Sequence, residues 1–269
     1  ITAMVAQAST GRVSFEGVNG PLLGPINAKT LVYNSSDLRV TARDIQLDWR
    51  PDALLEGRVE ITALTAQDVE VLSLPSPFPE NLRLPLPLSV HKLDIGALRM
   101  ISKEGGTPDF AASNLAARLE SDGRLHRLRN LRASLEYGQL TASGQIDGTR
   151  PFALQAQAAL AGLANFTGPD AKEAHISATA SGNLMQFTVN AEGSGAGLTG
   201  KGEAQLTPYA TFPLAALHLQ VSGLNPRAFS AKAPKANLTL QADLRGNAAG
   251  RLEGDVTAKN ASPATLDRD

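Results

Sequence analysis

Cysteine is absent from this 269-residue chain, aromatic rings are scarce, and neither sign of charge dominates. Without thiols there is no disulfide scaffold and no cysteine-ligated zinc or iron–sulfur site. Twenty-five basic residues face 26 acidic ones, a formal net charge of −1. The charges are interspersed, so the basic stripe of a nucleic-acid binder is missing and no nucleic-acid partner is expected. No run approaches the roughly 18 uninterrupted apolar residues of a membrane-spanning helix, and no basic-then-apolar signal peptide opens the chain. The chain starts in mid-pattern at Ile1-Thr2-Ala3-Met4-Val5, so a preceding targeting or anchoring segment is expected.

Aliphatic residues supply almost all of the 42% hydrophobic content, against eight Phe, three Tyr and one Trp. They recur with period two, the signature of strands with one apolar and one polar face. Leu38, Val40 and Ala42 alternate with polar residues, then Ile45, Leu47 and Trp49, and the pattern runs on to Leu238, Leu240, Ala242 and Leu244. Turn formers separate the runs: Asn19-Gly20, Asn34-Ser35-Ser36, Glu104-Gly105-Gly106, Asp122-Gly123, Asp147-Gly148, Gly193-Ser194-Gly195 and Gly246-Asn247. The expected fold is all-β and mostly antiparallel, with a few short helical pieces at the extreme N-terminus, at Pro51 to Leu55 and after Asn225-Pro226. The proline-dense stretch from Leu74 to Pro79 reads as a loop between sheet segments. Pro85 and Pro87 lie among Leu82, Leu84, Leu86 and Leu88 and lack N–H groups on one side, which makes that run an edge strand or a crossing within the sheet.

The chain echoes itself. Leu140 to Gly144, followed by Pro151 to Leu154, matches Leu198 to Gly202, followed by Phe212 to Leu214, with a weaker copy from Leu238 to Val256. The organisation is therefore read as one elongated β fragment over 1–269, with an N-terminal segment 1–75, a proline-rich crossing with its following strands at 76–137, and repeated β units at 138–269.

Catalytic chemistry finds little support. His91, His126, His175 and His218 fall on different strands or turns without a second ligand at metal spacing. The carboxylates sit at turns and on polar strand faces, with no acid–base constellation. Gly195-Ala196-Gly197-Leu198-Thr199-Gly200 spells a dinucleotide-binding pattern, but the alternating residues after it end at Pro208 where a helix would be needed, so a hairpin turn is expected. Asn165 and Asn237 lie in glycosylation sequons that matter only in a secreted eukaryotic protein. No enzyme activity, cofactor or metal is expected.

The informative feature is the one-sided sheet. Read from the alternation, the apolar lining comprises Val40, Ile45, Leu47, Val59, Ile61, Val69, Val71, Leu84, Leu86, Leu88, Val90, Leu93, Ile95, Leu115, Leu119, Leu140, Leu154, Val189, Leu217, Leu219, Val221, Leu238 and Leu240. Such faces bury one another in a sandwich or a filled β-solenoid, as in a passenger or adhesin. Few rings, few covering helices and recurrent alanine favour the alternative, an aliphatic lane that accepts acyl chains.

Gly17 to Ile26, Asp37 to Val40, Leu47-Asp48-Trp49-Arg50-Pro51 with Gly57 to Val59, Leu64 to Val71, and Leu84 to Leu88 leading into Leu93-Asp94-Ile95 resemble the N-terminal part of the TamB family. These are inner-membrane subunits of the bacterial translocation and assembly module. Gly223 to Pro226 is similar to a repeat-ending phrase of the wider AsmA-like group. The similarity is dense over about residues 11–100 and only pattern-level beyond. The resemblance implies an elongated, curved sheet folded into an open hydrophobic trough (a β-taco), periplasmic and anchored in the inner membrane by an N-terminal helix that this sequence lacks. It also implies phospholipid acyl chains as cargo, an outer-membrane barrel partner, TamA, met through other parts of a longer protein, and a role in outer-membrane biogenesis and protein secretion. A second expectation is an assembly factor whose sheet edge, near Pro85 and Pro87, templates strands of client barrel proteins.

Overall fold

A computed structural model describes residues 12–261 apart from 22, 37, 75–76, 163–173, 196, 211, 229–231, 234 and 248–249. The helical piece expected at the extreme N-terminus and the sequon at Asn165 lie outside the described residues. Fifteen strands form one sheet: β1 (Arg12–Glu16), β2 (Ile26–Asn34), β3 (Leu38–Trp49), β4 (Val59–Ser73), β5 (Leu88–Ile101), β6 (Phe110–Ser121), β7 (Leu125–Leu135), β8 (Gly138–Asp147), β9 (Ala153–Ala161), β10 (Ala174–Asn183), β11 (Gln186–Gly195), β12 (Leu198–Leu206), β13 (Leu214–Leu224), β14 (Leu238–Gly246) and β15 (Leu252–Asn260). Their order in the sheet follows the sequence from β1 to β15, and the sheet is open rather than closed into a barrel. The fold is all-β and mostly antiparallel, as the alternation indicates. Helix is limited to short 3₁₀ pieces at Pro51–Glu56 and Pro226–Ala228, both where the proline starts were read.

The chain divides into two compact units. The first is 1–136 with 145–150, the second 137–144 with 151–269. In the first unit, β4 and β5 pair in parallel, with Val59 opposite Leu88 and Leu72 opposite Ile101. A parallel pair cannot be joined by a tight turn and needs a crossover of about a dozen residues. Residues 74–87 provide it. The run Leu82-Leu84-Leu86 is therefore part of this crossing and not a strand. With two prolines removing N–H donors, it has too few ladder bonds to hold an edge, and β5 begins at Leu88.

Individual contacts hold the crossing in place. The Leu82 N–H donates to Gly148 O (3.0 Å), the Leu84 N–H to Gly123 O (2.9 Å) and the Val59 N–H to Pro87 O (2.8 Å). His126 Nε2 donates to Leu82 O (2.8 Å), which leaves Nδ1 to accept from the Ser121 hydroxyl (2.8 Å); that oxygen in turn accepts the Gly123 N–H. The Arg150 guanidinium donates to Pro79 O and stands 5.3 Å over the Phe78 ring. The turn that carries Gly148 is itself fixed by Asp147, which accepts from Arg124 (2.7 Å) and from the Thr149 N–H (2.8 Å).

The first unit departs from strict alternation in a coordinated way. Ala42 and Ile45 on β3, Ala66 and Val69 on β4, Ile95 and Leu98 on β5, and Ala112 and Leu115 on β6 are each three residues apart yet belong to joined apolar clusters. In a regular strand residues three apart point to opposite faces. The slip occurs at Asp44, Gln67, Gly96 and Asn114, which the register brings level across four adjacent strands and which the ladder skips. Asp44 and Asn114 take left-handed conformations (φ 51° each), which Asp and Asn adopt more readily than other residues with a Cβ. Gly96 is required by space, because a Cβ there would meet Gln67 O at 2.6 Å.

Gly96→Ala is accordingly expected to cost about 1–3 kcal/mol by forcing these strands apart, read as a lowered urea midpoint. Asp147 is held well below the usual carboxylate range by the Arg124 guanidinium, then by Thr149. A depressed folded-state pKa contributes stability above the unfolded value of about 3.9, and that contribution is lost as pH falls through the folded value. The melting temperature of Asp147→Asn should therefore lie below that of the parent chain by a constant margin at neutral and mildly acidic pH. The margin narrows only below about pH 4.

Candidate functional site

Cross-strand partners share a face, so the register assigns every side chain to one side of the sheet. In the first unit, Val40, Ile45, Leu47, Ile61, Val69, Val71, Val90, Leu93, Ile95, Leu115 and Leu119 fall on one face once this slip and a second one, between Ile61 and Leu64 on β4 and between Val90 and Leu93 on β5, are followed, and Val59 with Leu88 continues it. This face is packed rather than open. Ile45, Val69, Val90 and Leu115 are all buried, Val90 to 3% exposure, and two clusters meet through Ile95 and Leu98 of β5. Leu84 and Leu86 belong to the crossing and share no sheet face with the rest, which removes them from the lining as read from alternation.

The polar side of the first unit is laced with ion pairs. Asp68 accepts from Arg43 (3.0 Å) and from Arg99 (2.9 Å). Glu60 is buried at the base of the 3₁₀ turn, with Arg58, Arg50 (3.5 Å) and His91 (3.3 Å) about it. Arg58 first, and His91 with Arg50 after it, hold the Glu60 carboxyl below its ordinary value.

The second unit is different. Thr141 donates to Ala159 O and Gln157 to the Ser143 hydroxyl, so Leu140 and Leu154 lie on the opposite, apolar face. From β9 on, the rows of that face read Leu154, Gly182, Phe187 and Leu206; Ala156, Ala180, Val189, Ala204, Leu217 and Leu244; Ala158, Ala178, Ala191, Gly202, Leu219, Ala242 and Val256; and Leu160, Ile176, Gly193, Gly200, Val221, Leu240 and Ala258. Leu238 is level with Leu224 on β13. No charged residue interrupts these rows. The other face carries Gln155, Thr179, Asn190, Glu203, His218 and Asp243.

Small residues dominate the centre of the apolar face, and large neighbours lean over them. A Cβ on Gly193 would lie 3.4 Å from Ile176 Cγ1, one on Gly202 3.3 Å from Leu219 Cδ1, and one on Gly200 3.5 Å from Val221 Cγ2. The result is a cavity of about 400 Å³ lined by Val189, Ala191, Leu198, Ala204, Leu217, Leu219 and Val221 among others. Ligand clefts run from about 300 to 1,000 Å³. Unlike the first unit, almost nothing on this face is fully buried; Val256 of β15 is 67% exposed.

Alternation found Leu140, Leu154, Val189, Leu217, Leu219, Val221, Leu238 and Leu240, which the structure brings onto one face. It missed Gly193, Gly200, Gly202, Ala204 and Leu198. Gly193-Ser194-Gly195 was expected to be a turn but lies within β11, paired with β10 and β12. The usable signal was the run Val189, Ala191, Gly193, Gly195, where glycine keeps the period while looking like punctuation. The Gly195 to Gly200 pattern sits on the hairpin that joins β11 to β12, the reading expected for it.

Two further depressions lie on the polar side, of about 550 and 310 Å³, lined by His175, Glu192, Lys201 and Gln220, and by Glu203, His218 and Asp243. His218 Nδ1 donates to Asp243, a carboxylate–imidazole pair with both side chains largely exposed. Among the described residues no group of three or more His, Cys, Asp or Glu side chains is placed to hold a metal ion. No described helix is long and apolar enough to cross a membrane. Neither a family model, nor a curated protein, nor a solved structure matches the chain.

The cavity depends on small side chains. Ala191→Phe is expected to fill it and to reduce binding of an apolar fluorescent dye severalfold, whereas Asn190→Ser on the same strand and opposite face leaves dye binding unchanged.

Proposed function

We propose that the chain carries lipid acyl chains along the apolar face of its second unit, as a non-enzymatic conduit segment for phospholipid. The observation that carries this reading is the uninterrupted run of Leu, Val, Ile, Ala and Gly across β8–β15. A single sheet of this kind has no second layer among the described residues to cover it. Moving a phospholipid through water exposes its chains at about 0.8 kcal/mol per methylene. An aliphatic face removes that cost, and the cavity on it presents mainly apolar surface, with little polar grip to hold the chain at one point. Eight strands at about 4.8 Å give roughly 35 Å of such a face. The packed first unit then acts as a folded base and not as part of the track. The sequence resemblance to the TamB family agrees with this use and with a periplasmic setting, inner-membrane attachment, a role in outer-membrane biogenesis and the barrel partner TamA, all of which belong to the same proposal.

A second reading has its own observation. Among the described residues β15 is the last strand of the sheet; its nine residues are all exposed, and its ladder is paired on the β14 side alone. Open edges accept added strands. An assembly factor would template client strands there, rather than at Pro85 and Pro87, which lie in the crossing.

Leu219→Arg and Val189→Arg place a charge in the middle of the apolar face and are expected to reduce co-purifying phospholipid at least tenfold, measured by mass spectrometry of extracted lipid. Gln220→Arg, next to Leu219 on the opposite face, retains it. Photocrosslinkers at Leu219 that capture peptide in place of lipid, or lipid contents equal across the three variants, overturn the conduit reading.

A further inference from the structure

Turns at the two ends of the first unit differ in chemistry. At one end, Asn34-Ser35-Ser36 and the segment from Ser102 to Asp109 are polar, as solvent-facing turns normally are. At the other end the register gathers the start of β2, the end of β3, the starts of β4 and β5, and the β6–β7 turn. The tips there carry large apolar side chains in water: Leu55 is 92% exposed and Leu23 75%, joined by Val18 and Leu54. Leu84 and Leu86 of the crossing are only as exposed as Leu74, Met100 and Phe110 at the opposite end, so the difference rests on the first four. Single exposed leucines are ordinary; four strongly exposed apolar tips on neighbouring elements of one end are not.

Charge is arranged beside them. Between Arg118 and Arg132 the chain carries five arginines against Glu120 and Asp122. Arg118 lies directly opposite Arg129, and Arg127 opposite Glu120, near the same end of β6 and β7. Like charges facing each other across strands are destabilising. Glu120 pairs with Arg129 (3.0 Å) and Asp147, from beyond this stretch, with Arg124 (2.7 Å), so Arg118, Arg127 and Arg132 face only Asp122 among the remaining carboxylates of the stretch. The charges that flank Leu54 and Leu55 are already neutralised in pairs, Arg50 with Asp52 (2.7 Å) and Arg58 with Glu56 (2.8 Å). Among the described strand residues of the first unit, Phe15, Tyr33, Trp49 and Phe110 all belong to the other, apolar face, so the arginines have no Phe, Tyr or Trp stacking platform of the kind a nucleic-acid site uses.

We infer that this end of the first unit is a membrane-docking end, with Leu23 and Leu55 entering the interface of an anionic bilayer and Arg118, Arg127 and Arg129 meeting its headgroups. Apolar tips alone would suit any oily partner. The adjacent cationic excess, spread over a sheet face rather than gathered in a pocket, selects a diffuse anionic surface. The inference is independent of acyl-chain binding by the second unit, and the two are separable by experiment.

Because the chain has no cysteine, Leu23→Cys, Leu55→Cys and, at the polar end, Lys103→Cys each accept a single environment-sensitive fluorophore. With vesicles of equal parts phosphatidylglycerol and phosphatidylcholine, labels at 23 and 55 should brighten and shift to shorter wavelength while the label at 103 stays in water. Replacing Arg118, Arg127 and Arg129 by Gln is expected to weaken vesicle partitioning by about fivefold per arginine at low salt, and Leu55→Ser by about tenfold, with unchanged circular dichroism. Leu219→Arg, which removes lipid from the second unit, still docks. Equal responses at 55 and 103, equal binding to pure phosphatidylcholine, or a response at 55 that follows protein concentration without vesicles, and so reports a second copy, overturns the inference.

Discussion

A β-strand sends alternate side chains to opposite faces, and a sheet of one layer must do something with each of them. That constraint shapes every part of this protein. Strand order equal to sequence order builds the sheet by accretion, with no second sheet stacked on it among the described residues. The apolar face is therefore satisfied locally or left to meet something else. The first unit takes the former course and the second the latter.

The difference lies in side-chain volume and in backbone phase. In the first unit, Ile45, Val69, Leu98 and Leu115 are large, and the four-strand slip at Asp44, Gln67, Gly96 and Asn114 keeps apolar side chains on one face across the break, so they fill it. In the second unit the equivalent central rows hold Ala191, Gly193, Gly200, Gly202 and Ala204, too small to fill anything. Large neighbours lean over the glycines and leave a depression. The same alternation thus yields a core in one place and a receptive surface in the other. Composition alone, rich in aliphatics and poor in rings, does not separate these outcomes.

The class of fold was legible because period two is a direct image of strand geometry, and the 3₁₀ pieces were legible because proline starts them. The pairing of β4 with β5 was not. Hairpin logic joins sequential strands antiparallel, and a leucine–proline alternation imitates a strand while its prolines prevent one. The phase slip was visible only as a three-residue step from Ala42 to Ile45. Its alignment across four strands is a property of register that no single segment carries. Of the expected lining, the second-unit members share one face, those of the first unit are largely packed core, and Leu84 and Leu86 stand apart. Glycine misled twice, at Gly193 and Gly195, because its use in turns hides its use as floor.

The crossing between β4 and β5 also orders events in time. Every antiparallel hairpin of the sheet is complete once its second strand has been synthesised. The crossing is not: its anchors at Gly123, Gly148 and Arg150 come later in the chain, Arg150 by 71 residues from Pro79. A chain that emerges N-terminus first thus leaves Pro79, Leu82 and Leu84 without the full set of these partners until the end of β8 has emerged. During that interval β5 to β8 grow on an unlatched frame, and the Arg150 contact with Pro79 closes behind them like a clasp.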